Sequence, residues 1–248
     1  MLDLLAPFFK DLYARTGLNF IVFYDPYEFG RLLNGAAISA QLIVWSLLLS
    51  LVIGIVGAWV QSSQSAVLRG VVNAYIQAFR NTPPMIQLLF FYFGLGAFTP
   101  TVDMGGYSQP LISSFTWAVL SLGIFGGAFN VEIFRAGLQA VPHAMLEAAE
   151  SLCFSRWQTY RYVTLPLAFR ISLPALTNNL ISLAKTSSLA YVISVPEMTY
   201  VLSQVWSDNI NVPEMMLLLF AFYLAAVWII GAMLHWLERR LALPGYGQ

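Results

Sequence analysis

Residues 36–60 read AAISAQLIVWSLLLSLVIGIVGAWV, twenty-five positions without one charge. A bilayer core of about 30 Å takes roughly 20 apolar residues as helix, and any more open backbone there leaves its amides without water. This stretch is therefore predicted to cross a membrane. Three further segments meet the same length: about 111–137, charged only at Glu132 and Arg135, about 171–195, charged only at Lys185, and about 215–237, with no Asp, Glu, Lys or Arg and one histidine, His235. A fifth, about 71–98, is interrupted by Arg80-Asn81-Thr82-Pro83-Pro84. Paired prolines remove two donors and bias the preceding residue away from helix, so a break is expected there. The part after Pro84 is short for a span of its own. The reading is an all-α integral membrane protein with five spans, the second broken at Pro83-Pro84; a sixth, separate span is the alternative.

Composition agrees. Of 248 residues, 58% are hydrophobic and 10% charged, against about a quarter charged in soluble domains, and the mean hydropathy is +0.70. Twelve basic and twelve acidic residues cancel, which argues against a nucleic-acid partner. The single cysteine, Cys153, has no internal disulfide partner, and no CxxC or His-Cys cluster suggests a metal. Asp3, Pro7, Lys10 and Asp11 interrupt any signal-peptide core. Leu2, Leu5, Phe9 and Leu12 recur at helical spacing, so residues 1–35 are expected to form an extracytoplasmic segment with a short surface helix; a disordered leader is the alternative.

Basic residues set the orientation. Arg69 precedes the second span, Arg156, Arg161 and Arg170 lie between the third and fourth, and Arg239 and Arg240 end the chain; the loops 99–110 and 196–214 hold Asp103, Glu197, Asp208 and Glu214 but no lysine or arginine. The arginine-rich side is expected to be cytoplasmic, which puts the N-terminus outside and the C-terminus inside. Lys10, Arg15 and Arg31 run against the rule on the outer side. The membrane domain is expected over 36–240 and a cytoplasmic tail over 241–248. Trp45, Trp59, Trp117, Trp206 and Trp236 fall near span ends, where indoles favour the interface.

The cytoplasmic loop 139–170 is amphipathic. Met145, Ala148 or Ala149, and Leu152 share one face and Glu147 and Glu150 another, with Pro142 fitting a first helical turn. It reads as a docking helix or, equally from pattern alone, as a solvated surface helix. His143 reads as a loop residue and His235 as interfacial.

Glu147-Ala148-Ala149, three residues, Cys153, nine residues, then Val163-Thr164-Leu165-Pro166 resembles the EAA loop of bacterial ABC importer permeases, EAA-x3-G-x9-I-x-LP. Phe79-Arg80-Asn81-Thr82-Pro83, Glu132-Ile133-Phe134-Arg135-Ala136-Gly137, Val141-Pro142-His143, Trp157-Gln158-Thr159, Asn178, Ser182-Leu183 and Lys185-Thr186-Ser187-Ser188-Leu189 resemble its polar amino acid branch, of the histidine, glutamine and glutamate type. The resemblance implies a MetI-like permease fold with a coupling helix between spans three and four. It implies a homo- or heterodimer of permeases, two ATPases under the loops and an extracytoplasmic solute-binding protein. Catalysis is implied to lie elsewhere, with ATP and Mg on the ATPase and no cofactor on this chain; consistently, no Walker GxxxxGK[ST] occurs. Coupling falls to Glu147, Ala148, Ala149, Leu152, Cys153, Leu165 and Pro166. Cys153 stands where the family has glycine, so a left-handed turn with a Cβ is expected there, at a cost of roughly 1 kcal/mol or more. The run Lys185-Thr186-Ser187-Ser188 lacks the aspartate usual after the lysine.

Charges at membrane depth need a partner, a cavity or a route to the surface. Glu132 is placed to pair with Arg135 at i, i+3. Arg80 and Lys185 would either bond carbonyls freed at the proline break or line a substrate path, meeting an amino acid carboxylate. The path residues would be Arg80, Thr82, Glu132, Asn178, Asn179, Lys185, Ser187 and Ser188. No uncompensated acid lies at mid-depth to match a cationic side chain, which leans towards neutral or acidic amino acids over basic amino acids or opines. A stand-alone secondary transporter leaves the Glu147 loop without a purpose, and a membrane enzyme lacks HExxH or GxSxG.

Overall fold

The computed structural model describes residues 2–103, 105 and 108–241. Helix α1 (Leu2–Thr16) ends where Gly17, at φ +75°, turns back and donates its amide to the Tyr13 carbonyl at 2.9 Å. The left-handed turn suits glycine because no Cβ is there to clash. Phe9 stacks on Phe23 with centroids 4.6 Å apart, while Leu4 and Phe8 stay exposed. The leader is thus a helix. Helix α2 (Pro26–Gln61) opens with proline in its first turn and the Asp25 carboxylate accepting from the amides of Tyr27 and Glu28. It begins ten residues before the apolar run and, at 1.5 Å per residue, is about 54 Å long.

Helix α3 (Ala66–Arg80) starts on a Ser65 cap and stops at Asn81. The chain resumes as α4 (Pro84–Leu89), widens into a π-helical turn (Phe90–Leu95) and tightens into a 3-10 turn (Gly96–Phe98). This is the break that the prolines announced. Strands β1 (Thr101–Asp103) and β2 (Ser108–Pro110) then pair antiparallel, Thr101 opposite Pro110, a small hairpin that the all-helical reading did not contain. Helix α5 (Ser114–Gln139) follows. Helices α6 (His143–Ser151) and α7 (Arg156–Thr159) lead through a second π-helical turn (Tyr160–Thr164) into α8 (Leu165–Thr186). Pro166 lies two residues past the π-helical turn, and the helix takes in the last six residues assigned to the loop. Regular α-helix ends at Thr186, short of residue 195, and gives way to a 3-10 run (Ser187–Ile193). Helix α9 (Met198–Asn209) forms within the expected outer loop, and α10 (Val212–Leu241) ends the described chain. Of the tail at 241–248, only Leu241 lies within the described residues.

Helices α2, α5 and α10 are long and apolar enough to cross a membrane. Helix α8, with 22 residues, carries Arg170 and Lys185 towards its ends. The chain forms two compact units, each assembled from three stretches. Unit 1 comprises Met1–Trp45, Leu88–Ser121 and Ala184–Trp228; unit 2 comprises Ser46–Gln87, Leu122–Leu183 and Ile229–Gln248. Unit 1 is built on Val22, Leu32, Met198, Leu202, Val205 and Met215, with Phe20, Phe23 and Phe222 against them. Trp117, expected at the interface, is buried there and packs on Phe91. In unit 2 the second half of α2 lies close on α5, because Gly54 and Gly57 leave no side chain in the way: a Cβ at either position would collide with Asn130 or Val131. Small residues permit such contact where water supplies no driving force between helices.

Candidate functional site

Helix α6 starts at His143, with Pro142 in extended conformation as its cap, one place earlier than the first-turn position expected of it. Glu147, Ala148 and Glu150 are exposed, while Ala149 is turned inward at 3% exposure. That decides which of the two alanines faces outward. Met145, Ala148 and Leu152 lie outside, and Ala149 seats the helix on its own chain. Leu152 is 70% exposed, with Phe154, Trp157 and Leu165 also open and Pro166 exposed. The helix ends as a Schellman turn: the Cys153 amide donates to Glu150 O at 2.8 Å and the Phe154 amide to Ala149 O at 3.1 Å. Cys153 has φ +58°, the left-handed conformation expected at the family's glycine position. The following turn is closed by a capping box between Ser155 and Gln158, which aims the chain into the π-helical turn.

At the proline break, Arg80 forms an ion pair with Glu132, and its guanidinium lies 5.2 Å from the Phe129 ring centroid. Glu132 therefore does not pair with the neighbouring Arg135, which is exposed. The i, i+3 geometry on α5 loses to a guanidinium from α3 that needs a counter-charge at membrane depth. Both side chains keep part of their surface open, 37% for Arg80 and 29% for Glu132. Nor does Arg80 take the carbonyls freed by the break. These go to Gln87, whose Nε2 donates to Phe79 O at 2.8 Å, Thr82 O at 3.0 Å and Thr82 Oγ1 at 2.6 Å; Thr82 donates in turn to Ala78 O. Gln87 was not singled out in the sequence, although an amide three residues past paired prolines is the group such a gap calls for.

A polar ladder crosses unit 2 nearby in sequence. The Asn179 Nδ2 donates to Asn130 Oδ1 at 2.8 Å and Gly126 O at 3.2 Å, and Asn130 Nδ2 donates to Ser50 Oγ at 3.1 Å. Asn130 is fully buried, so these bonds tie α2, α5 and α8 together. Asn178 instead points to the exposed side. In unit 1, Lys185 is exposed, and the hydroxyls of Ser187 and Ser188 donate to Ala184 O and Lys185 O within their own turn. Of the expected path residues, Arg80 and Glu132 meet directly and Thr82 joins the break beside them, while Asn179 serves the ladder.

Unit 1 holds a second carboxylate that the sequence reading left as a loop acid. Glu197 is fully buried. It caps α9, accepting from the amides of Thr199 at 2.9 Å and Tyr200 at 3.0 Å, and takes the Tyr223 hydroxyl at 2.8 Å. Ser39 of α2 joins at 3.4 Å and accepts the Met198 amide at 2.9 Å. Burial raises the Glu197 carboxyl above its ordinary range, while the donors pull in the other direction. Closer to the chain's start, Arg31 pairs with Glu28 at 3.1 Å, donates to Gln204 at 2.6 Å and reaches Asp208 at 3.9 Å, beside a polar recess of about 400 Å³.

Residues 50–243 match the family of binding-protein-dependent transport system inner membrane components, and the chain belongs to that family. It is 32% identical over 212 residues to the glutamine transport system permease protein GlnP of Escherichia coli, covering 86% of this chain and 93% of that one. It is 34% identical over 222 residues to the arginine transport system permease protein ArgU of Corynebacterium glutamicum, covering 87% of this chain and 70% of the relative. A crystal structure of an amino acid ABC transporter with histidines shares the fold, with TM-score 0.74 and 30% identity over 86% of this chain and 94% of that one.

Proposed function

We propose that this chain is the permease of an ATP-driven importer of polar amino acids and that α6 is the helix through which it is driven. The observation that carries the reading is the surface of α6, where Glu147, Ala148, Met145 and Leu152 all face outward on a chain of this family. An apolar surface flanked by two acids has reason to be covered by a partner. The partners are a second permease, alike or different, two ATPases holding ATP and Mg under the loops, and an extracytoplasmic binding protein. Five spans, the second broken, carry the substrate, with the N-terminus outside and the C-terminus in the cytoplasm. Residues 1–35 then lie at the outer surface. Arg80, Thr82 and Glu132 are the groups of unit 2 nearest to meeting the substrate's charged ends, and Lys185, Ser187 and Ser188 are those of unit 1. Because Glu132 is neutralised by Arg80, a cationic substrate finds no free acid there, which favours neutral or acidic amino acids over basic amino acids or opines.

In vesicles holding the assembled importer, Glu147→Arg is expected to abolish ATP-driven uptake of labelled glutamine while the chain remains inserted. Uptake at the unchanged rate removes the coupling role. Competition by arginine alone among glutamine, glutamate, aspartate and arginine removes the substrate preference.

A further inference from the structure

Unit 2 contains an apolar recess of about 450 Å³, walled by Ile55 and Trp59 of α2, Phe134 and Leu138 of α5, and Leu165 and Phe169 of α8. Its lining includes one hydroxyl on α8, that of Ser172, and this is already donated to Ala168 O at 2.8 Å. The α8 wall runs from Leu165 to Ser172, about 10 Å along the helix axis, or a third of the hydrocarbon core. Trp59 is 70% exposed, and Tyr160 is also part of the lining. Tryptophan and tyrosine are the rings that settle at headgroup level. The recess therefore opens to the bilayer where hydrocarbon gives way to headgroups.

The charge beside it is of one sign. Residues 151–170 include Arg156, Arg161 and Arg170 and no acid. All three arginines are exposed, and none forms an ion pair among the described residues. Arg161 and Arg170 directly follow Tyr160 and Phe169 of the lining. The polar recess in unit 1 differs on both counts, since Arg31 there is matched by Glu28 and Asp208. We propose that the apolar recess is a binding site for an anionic phospholipid, with an acyl chain against Phe134 and Phe169 and the phosphate on Arg161 and Arg170. Guanidinium forks suit phosphate, and each arginine near an anionic surface adds about 1 kcal/mol of attraction. A water-soluble partner does not fit a recess of this composition. The lipid sits against the π-helical turn that links the coupling loop to α8, so where the permease role holds, headgroup charge tunes coupling.

Native mass spectrometry of the assembled importer, titrated with dioleoyl phosphatidylglycerol and dioleoyl phosphatidylcholine, tests the site without relying on uptake. The expected result is one phosphatidylglycerol held per chain in preference to phosphatidylcholine, with retention falling at least fivefold in Arg161→Gln/Arg170→Gln. Ile55→Trp, filling the recess from an exposed position, is expected to release both lipids. In two versions of the chain that keep either Trp59 or Trp228 as the one tryptophan, phosphatidylglycerol with brominated acyl chains is expected to quench Trp59 more strongly than Trp228 at equal lipid fraction, which free phosphate does not do. Equal retention of the two lipids, retention unchanged in the arginine variant, or a Trp59 shielded from brominated lipid by a second permease each overturns the proposal. A complex that holds the lipid yet transports none of the amino acids overturns the permease reading instead.

Discussion

In unit 1 the Glu197 carboxylate is sealed from solvent and takes hydrogen bonds from two amides and two hydroxyls. In unit 2 the Glu132 carboxylate has one guanidinium partner, and both side chains keep part of their surface open. The first acid has its accepting capacity filled from its own fold, so there is nothing left for a ligand to do. The second is matched in charge by one partner but leaves the pair partly open. A saturated polar cluster fixes structure, whereas an open one at membrane depth can exchange partners.

The sharpest way to break this contrast is Glu197→Ala. It strands the amides of Thr199 and Tyr200 and the Tyr223 hydroxyl and leaves a void, so a loss of about 3 kcal/mol is expected, read as thermal unfolding of the purified chain in detergent. A stability unchanged within error means that Glu197 is not the organiser of unit 1. Glu132→Gln keeps the side chain's size and removes its charge. A smaller shift in unfolding temperature is expected than for Glu197→Ala, together with a drop of about tenfold in ATP-driven uptake, equivalent to 1.4 kcal/mol. Should stability fall as far as in Glu197→Ala with uptake per folded complex intact, the ion pair is structural after all. Cys153→Gly gives the smallest effect and sets the scale for the others. It removes a Cβ from a left-handed turn without touching any buried polar group, and a gain of about 1 kcal/mol in stability is expected; a loss on unfolding measurements shows that the thiol is packed rather than strained.

The long apolar helices α2, α5 and α10, the proline break and the Cys153 turn were legible in the sequence because each rests on local chemistry. An uncharged run of twenty-five residues admits one structure in hydrocarbon, paired prolines break a continuing helix, and the position four past Ala149, Cys153, takes the left-handed conformation that ends α6. What stayed hidden depends on partners far along the chain. Arg80 and Glu132 are 52 positions apart, and Arg135 offered a nearer partner that the fold does not use. Asn130 sits in an apolar run with nothing to distinguish it until Ser50 and Asn179 arrive from other helices. Glu197 follows Pro196 and reads as a loop acid, because the helix it caps is short and the Tyr223 that seals it lies 26 positions later.

The π-helical turn at Tyr160–Thr164 sets the phase between the helices on either side of it. Such a turn is a helix with one residue too many, and one residue in an α-helix is about 100° of rotation. Helix α7 and the first turn of α8 are therefore held out of phase by a single residue. Removing one residue between Trp157 and Pro166 would turn α7 by more than a quarter circle relative to α8 and would also break the nine-residue spacing from Cys153 to Val163, so the spacing in the loop and the phase of its helices are one constraint.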